Sequence, residues 1–232
     1  KVDPKWVDLE DHFGEEENNL PEYVKRLANP VNSMKGYDLP VSAFDDYEDG
    51  TMDNGSSAYE KRYISPFVPT WIKDNCIQCN QCAFVCPHAV IRPFLATEEE
   101  AKNAPENVEL LKANGKGFEG LQYSIQISIA DCTGCANCVD VCPGKRGEKA
   151  LQMASIEDEL HAGKEKLADY FFNNVTYKKE LVDITMTPKN SQFAQPLFEF
   201  SGACAGCGET PYIKLVTQLF GSRMIIANAT GC

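Results

Sequence analysis

The chain has 232 residues, a formal charge of −12 and eleven cysteines. That length holds one or two domains with real cores, and the acidity argues against nucleic acid, whose phosphates ask for a basic stripe. No apolar run is long enough to span a bilayer, no signal-peptide pattern opens the chain, and a first residue of Lys1 points to numbering that starts inside a longer protein.

Residues 1–60 are polar and rich in turn formers. The stretch LPEYVKRLAN (20–29) predicts a short helix halted by Pro30, YDLPVSAF (37–44) an extended segment, and DDYEDGTMDNGSS (45–57) a loop. With too few apolar residues for a core of its own, this part is expected to be an arm lying on other domains.

Residues 61–155 contain two similar halves. Each has a strand-like lead, a run of the form C-x2-C-x2-C-x3-C-P, and a second apolar stretch, at Ala89–Ile91 and at Ala150–Met153. Tyr123, Ile125, Ile127 and Ile129 alternate with polar residues, as in a half-buried strand. Between the halves, Thr97 and Glu100 fit a capping box, which predicts a surface helix or two within 97–117. Ile156, Leu160, Leu167 and Phe171 recur at helical spacing over 156–172, with Ser155 as cap. Residues 173–195 read as a connector. Beyond it come a Gly/Cys loop, a helix opening near Thr210–Pro211 and stopping at Gly221, and a strand.

The cysteines carry the chemistry. Scattered cysteines in short secreted chains make disulfide frameworks, whereas these are clustered like metal ligands. Cys76, Cys79, Cys82 and Cys86 form one run, Cys132, Cys135, Cys138 and Cys142 the other, with Pro87 and Pro143 following. This is the bacterial ferredoxin spacing, in which three cysteines wrap one cluster and the fourth reaches the other. Cys76, Cys79, Cys82 and Cys142 are therefore expected on one 4Fe–4S cluster, and Cys132, Cys135, Cys138 and Cys86 on the second. Structural zinc is the rival, but it usually takes two separated cysteine pairs.

Asn80, Gln81, Gly134 and Asn137 lie inside the loops and read as residues that permit the turn, while backbone N–H groups solvate cluster charge. His88 follows Cys86-Pro87 and reads as locally packed or exposed; His12 and His161 have no partner pattern. Lys145, Arg146 and Lys149 are a candidate attraction for an acidic electron acceptor, with a solvated loop as the favoured alternative. In GACAGCGETPY, Cys204 and Cys207 make a third set with Cys232. Three thiolates do not complete a cubane, so the fourth ligand is expected beyond Cys232.

The stretches LPVSAF, YEKRYISPFVPTWIKDNCIQCNQCAFVCPHAVIRP, DCTGCANCVDVCPG and QPLFEFSGACAGCGETPYIKLVTQLFGSRMIIANATGC resemble the pyruvate:ferredoxin (flavodoxin) oxidoreductases in their single-chain form. The resemblance runs from about residue 37 to the end and is weaker over 145–190. It implies an α+β architecture: an irregular arm (1–60), a bacterial-type two-cluster ferredoxin-like domain with an insertion (61–155), a helix and connector (156–195), and the loop, helix and strand that start an α/β thiamine-diphosphate-binding domain (196–232). It implies oxidative decarboxylation of pyruvate to acetyl-CoA on thiamine diphosphate and Mg2+, with electrons leaving singly through three 4Fe–4S clusters to ferredoxin or flavodoxin. By the same resemblance Cys204, Cys207 and Cys232 bind the cluster nearest the thiamine, and Glu209 lies beside the cofactor. A homodimer in the cytoplasm or a reducing organelle, without nucleic-acid or membrane partners, is implied as well.

The segment carries no pyruvate- or coenzyme-A-binding region and no diphosphate motif, so alone it is expected to be inactive. The competing readings are a stand-alone ferredoxin-like carrier and an oxidoreductase for another 2-oxoacid. The third cysteine set argues against the carrier, which has no use for a half-built α/β unit.

Overall fold

The computed structural model describes residues 20–53 and 55–228. Its residues group into two units, 1–59 and 60–232.

In the first unit the helical stretch does not stop at Pro30. A π-helical turn, Val24–Ala28, runs into helix α1 (Asn29–Asn32). Pro30 stands in the first turn of α1, where its missing N–H is not needed. The predicted extended segment is instead 3-10 helical, over Gly36–Asp38 and Val41–Tyr47. Its short turns follow from local backbone bonding such as Ala43 N–H to the Pro40 carbonyl. A further 3-10 turn, Ser56–Tyr59, interrupts the predicted loop. Apolar burial in this unit is confined, among the described residues, to Tyr23, Val24, Leu27 and Ala43.

The second unit is a small mixed domain of helices and strands. In chain order come β1 (Phe67–Trp71), α2 (Gln81–Val85), β2 (Ile91–Ala96), α3 (Glu98–Lys102), β3 (Leu111–Lys112), β4 (Gln122–Ile127), α4 (Asn137–Val141), β5 (Leu151–Ser155), α5 (Ile156–His161), α6 (Lys164–Asn174), α7 (Pro188–Ser191) and α8 (Thr210–Phe220). Strands β1 and β5 pair antiparallel, Phe67 opposite Ser155 and Trp71 opposite Leu151. Strand β4 pairs antiparallel with β2 on one side and β3 on the other. The β1–β5 and β2–β4 pairs each join a strand of one cysteine half to a strand of the other: the lead of the first half pairs with the tail of the second, and the reverse. The halves thus interlock, and the two cysteine loops are drawn together.

Thr97 caps α3 as expected: Glu100 N–H donates to its hydroxyl, and Thr97 N–H donates to the Glu100 carboxylate. Glu100 also accepts from the Lys178 ammonium, which ties α3 to the connector. The rest of the insertion holds the two-residue β3 rather than a second helix. The helical stretch after Ser155 splits into α5 and α6 at Gly163, whose φ is 71°. Ser155 occupies the cap position of α5 but makes no side-chain capping bond.

Strand β4 is not half-buried; both faces are covered. Ser124, Gln126 and Ser128 are buried with the isoleucines, because α6 packs on their side. Their polar atoms are all served: Ser124 donates to the Glu109 carbonyl, Gln126 donates to Ser124, and Ser128 donates to Asp131. Satisfied hydroxyls and amides can be buried at little cost, which the polar-apolar alternation of the sequence does not reveal.

Arg92, on β2, is a buried hub. Its guanidinium donates to the Ala89 carbonyl, the Tyr177 hydroxyl and the Glu199 carboxylate, and it stacks over Phe172 at 4.2 Å. Residues after the connector are held to the domain through it. Helix α8 runs as predicted, with Pro211 in its first turn and Gly221 following its end. The predicted strand after it is absent: residues 224–228 are irregular, with Ile225 and Ile226 exposed. A strand needs a partner edge, and none pairs with these residues among those described.

Candidate metal centre

The two cysteine loops are built alike. Two and four residues after the first cysteine, the backbone enters the left-handed region: Gln78 (57°) and Asn80 (60°) in one loop, Gly134 (68°) and Ala136 (62°) in the other. These turns aim N–H groups inward. Gln78 N–H donates to Cys76 Sγ and Gly134 N–H to Cys132 Sγ, both at 3.4 Å. Of the residues expected to permit the turn, Asn80 and Gly134 take the special backbone, while Gln81 and Asn137 simply open α2 and α4. Gln78 and Ala136 carried no sequence signal, since neither residue type is known for left-handed backbone. Gln78 is held by bonds to the Lys112 carbonyl and from Asn114 N–H.

Each loop leads into a five-residue helix, and the fourth cysteine follows its end in extended backbone, Cys86 after α2 and Cys142 after α4. This change of direction turns the fourth thiol away from its loop. The Cys86 thiol acts electrostatically on Cys132, Cys135 and Cys138, and the Cys142 thiol on Cys76. Cys82 also feels Cys138 because α2 and α4 pack side by side.

A cavity with about 330 Å³ of atom-free space, partly open to solvent, is lined by Cys76, Cys79, Cys82 and Cys142 and by no cysteine of the other set. Trp71 and Tyr123 form part of its wall. The Trp71 indole Nε1 is buried and has no hydrogen-bond partner among the described residues. It lies beside Cys76, close enough for its N–H to favour a thiolate there. All ten described cysteines are free thiols, and Cys232 lies outside the described residues. No three His, Cys, Asp or Glu side chains among those described are placed to share one metal ion.

Burial pushes the Cys132 and Cys138 thiols up to about 12 and raises the Cys82 thiol by the same cause. Thiolates at these positions therefore need a strong local counter-charge, which a bound metal cluster would supply.

Cys204 and Cys207 sit apart from these eight, on the loop before α8. Cys204 is exposed. The Cys207 thiol is held below its ordinary value by the Thr210 hydroxyl and by backbone N–H of Glu209 and Thr210, as suits a thiolate ligand at the start of a helix. The loop is tied down by Arg62, which donates to the Ala203 carbonyl at 2.9 Å. Glu209 is exposed at the cap position of α8 and makes no side-chain capping bond. His88 is buried with Nδ1 unpartnered, and burial together with Arg62 lowers its pKa. Lys149 leaves the basic trio: its ammonium is bound to the Val139 and Asp140 carbonyls, while Lys145 and Arg146 are exposed.

The model of a 4Fe-4S dicluster domain matches residues 75–145, which span both loops and all eight of their cysteines. A second model, described as a domain of unknown function, matches residues 11–65. The pyruvate:ferredoxin oxidoreductase of Moorella thermoacetica is 50% identical over 232 residues, all of this chain and 19% of the relative. A pyruvate-flavodoxin oxidoreductase of Enterobacter agglomerans is 51% identical over 231 residues, 100% of this chain and 19% of its own length. The chain is homologous, along its whole length, to one segment of the pyruvate:ferredoxin and pyruvate:flavodoxin oxidoreductases. A pyruvate dehydrogenase (NADP+) of Cryptosporidium parvum is 49% identical over 217 residues, 93% of this chain and 11% of that relative. The chain thus spans about a fifth or less of the length of these oxidoreductase relatives. No helix among the described residues is long and apolar enough to cross a membrane.

Proposed function

We propose that this chain is the electron-conducting segment of a pyruvate:ferredoxin or pyruvate:flavodoxin oxidoreductase. The observation that carries the reading is the cavity walled by Cys76, Cys79 and Cys82 from one run and Cys142 from the other. Cys76, Cys79, Cys82 and Cys142 hold one 4Fe–4S cluster; Cys132, Cys135, Cys138 and Cys86 hold the second. Cys204, Cys207 and Cys232 are three ligands of a third cluster whose fourth ligand comes from outside this sequence.

Bound clusters supply one-electron storage and transfer, and their potentials answer to hydrogen bonds at sulfur and to solvent exposure. This chain's part is to position them. N–H groups of Gln78, Gly134 and Ala150 point at ligand sulfurs, and Trp71 and Tyr123 wall one part of the first site. In the whole enzyme, thiamine diphosphate with Mg2+ supplies the carbanion chemistry that decarboxylates pyruvate, and coenzyme A takes the acetyl group. Residues 196–232 are read as the start of the thiamine-diphosphate-binding domain, with Glu209 beside that cofactor. The stretch 1–60 is an arm, 61–155 the ferredoxin-like domain, and 156–195 a helix and connector. The homologous segment occurs in relatives named for ferredoxin, flavodoxin and NADP+, so the acceptor is chosen by features these relatives do not share. The working assembly is read as a homodimer in a reducing compartment.

The test is an iron and sulfide count with EPR of the dithionite-reduced protein. Eight irons per chain in this segment are expected, rising to twelve when the fourth ligand of the third set is present. A colourless protein that holds zinc overturns the reading.

A further inference from the structure

Helices α2 and α4 end beneath matching ammonium groups. Lys149 Nζ donates to the Val139 carbonyl at 2.6 Å and the Asp140 carbonyl at 3.1 Å. Lys214 Nζ donates to the Ala83 carbonyl at 2.5 Å and the Phe84 carbonyl at 3.1 Å. Ala83 and Phe84 follow Cys82 as Val139 and Asp140 follow Cys138, so the two lysines serve the same two positions of the repeated run. A cation at a helix C-terminus answers the partial negative charge of the carbonyls there, two of which, Ala83 and Val139, also accept from Cys86 and Cys142 N–H. The repeat supplies one of these cations itself. The other comes from α8, the helix that opens just after Cys207.

The two ammonium groups differ in surroundings. Lys149 is half-buried, whereas Lys214 is 7% exposed. Among the described residues, the hydrogen bonds of Lys214 go to backbone carbonyls and not to a carboxylate. The charges it faces are the thiols of Cys86 and Cys82, one from each crossed set, and Arg92. Burial lowers its pKa, and the two thiols oppose that shift. A buried cation with no acidic partner is costly to keep. Its cost falls when a neighbouring group becomes more negative, which is what reduction does to a cluster held by those thiolates.

We propose that Lys214 is a positioning residue of the electron path: a buried charge, lent by the helix after the Cys204–Cys207 loop, that makes the cluster held by Cys86 easier to reduce. The same two hydrogen bonds fasten α8 to α2, so the loop bearing Cys204 and Cys207 keeps a constant distance from the ferredoxin-like domain. Lys149 plays the matching part on α4 with less effect, because water screens a half-exposed charge. The inference rests on the crossed ligand sets proposed above.

The experiment is potentiometric EPR titration of the full-length enzyme with K214Q, K214R and K149Q. Glutamine keeps a donor for the carbonyls and drops the charge; arginine keeps the charge. K214Q is expected to weaken one-electron reduction of one cluster about tenfold, a shift of about 59 mV to lower potential. K214R stays near wild type, and K149Q moves less than K214Q. An iron-loaded K214Q that titrates like wild type overturns this inference alone. So does a K214R shifted as far as K214Q, or loss of iron from both, because the residue then acts by packing. Wild-type enzyme without cluster signals overturns the site reading and this inference together.

Discussion

The Tyr123 hydroxyl donates a 2.7 Å hydrogen bond to the Asn80 side-chain carbonyl. Asn80 stands in the first cysteine loop and Tyr123 on β4. The other side of the Asn80 amide donates to the Lys189 carbonyl at 2.9 Å. One buried amide thus joins loop, sheet and α7 behind the first thiol set, and it does so from a left-handed backbone that asparagine tolerates better than most residues. N80A removes both bonds and strains the turn. It is expected to cost about 2–4 kcal/mol and to lower iron retention at the first site. Y123F, which leaves one acceptor unserved, is expected to cost about 1–2 kcal/mol. Urea unfolding together with the iron count checks both, and an N80A protein as stable as the parent refutes the role.

Gly134 is the second loop's counterpart of Gln78. Its φ is 68°, and a Cβ there would lie 2.1 Å from Ser65 Oγ and 3.0 Å from the Phe67 carbonyl oxygen. G134A is therefore expected to displace the second loop and to reduce iron at that site while the first retains its own. G147A, at a positive φ with nothing within 4 Å, serves as the comparison and should keep all its iron. Equal iron content in G134A and the parent contradicts the packing argument.

Crossing of the ligand sets makes a directional prediction. With Cys142 in the set of the first run, as proposed, C142S is expected to disturb the EPR signal of the cluster assigned to Cys76, Cys79 and Cys82. C86S should disturb the other. Serial sets, each run holding its own cluster, predict the reverse pairing with the same two variants. Double variants decide between them: C76S with C142S should spare one cluster entirely, whereas C76S with C86S should damage both.

Glu165 supplies the pH dependence. Its carboxylate is buried and accepts from Ile129 N–H at 2.7 Å and Ala130 N–H at 3.1 Å, just before Cys132. Desolvation raises its pKa from 4.5 to about 7, against the pull of Lys61 and with Asp169 and Asp131 adding to the rise. The folded chain thus holds this proton more tightly than the unfolded chain. The stabilisation is full below pH 4.5 and is lost as pH rises through about 7, a change of about 3 kcal/mol at most. E165Q does not titrate and should flatten that part of the stability profile. Thermal midpoints measured across this window decide it; parallel profiles for E165Q and the parent exclude Glu165 as the source.

The strands β1 and β4, helix α8 and the capping box at Thr97 were legible in the sequence because each rests on local periodicity or on a cap a few residues away, whereas the second apolar runs overlap β5 over Leu151–Met153 and meet β2 only at Ile91. The two cysteine runs were legible for the same reason, since ligand spacing is written within eleven residues of chain. Local signals failed where partners are distant. Nothing near Gln78 announces a left-handed turn; bonds to Lys112 and Asn114 hold it there. The polar residues of β4 look solvent-facing until α6 covers them. Residues 224–228 look like a strand and are irregular without an edge to pair with.

The chemical groups were written in the chain itself: eight thiols at ferredoxin spacing and a third set on a Gly-rich loop. Only the tertiary structure decided which groups surround that chemistry. Tyr123, Glu165 and Lys214 reach the cysteine loops from strands and helices far along the chain. Burial and unshared hydrogen bonds arise when such elements pack, and neither quantity exists in a sequence read one window at a time.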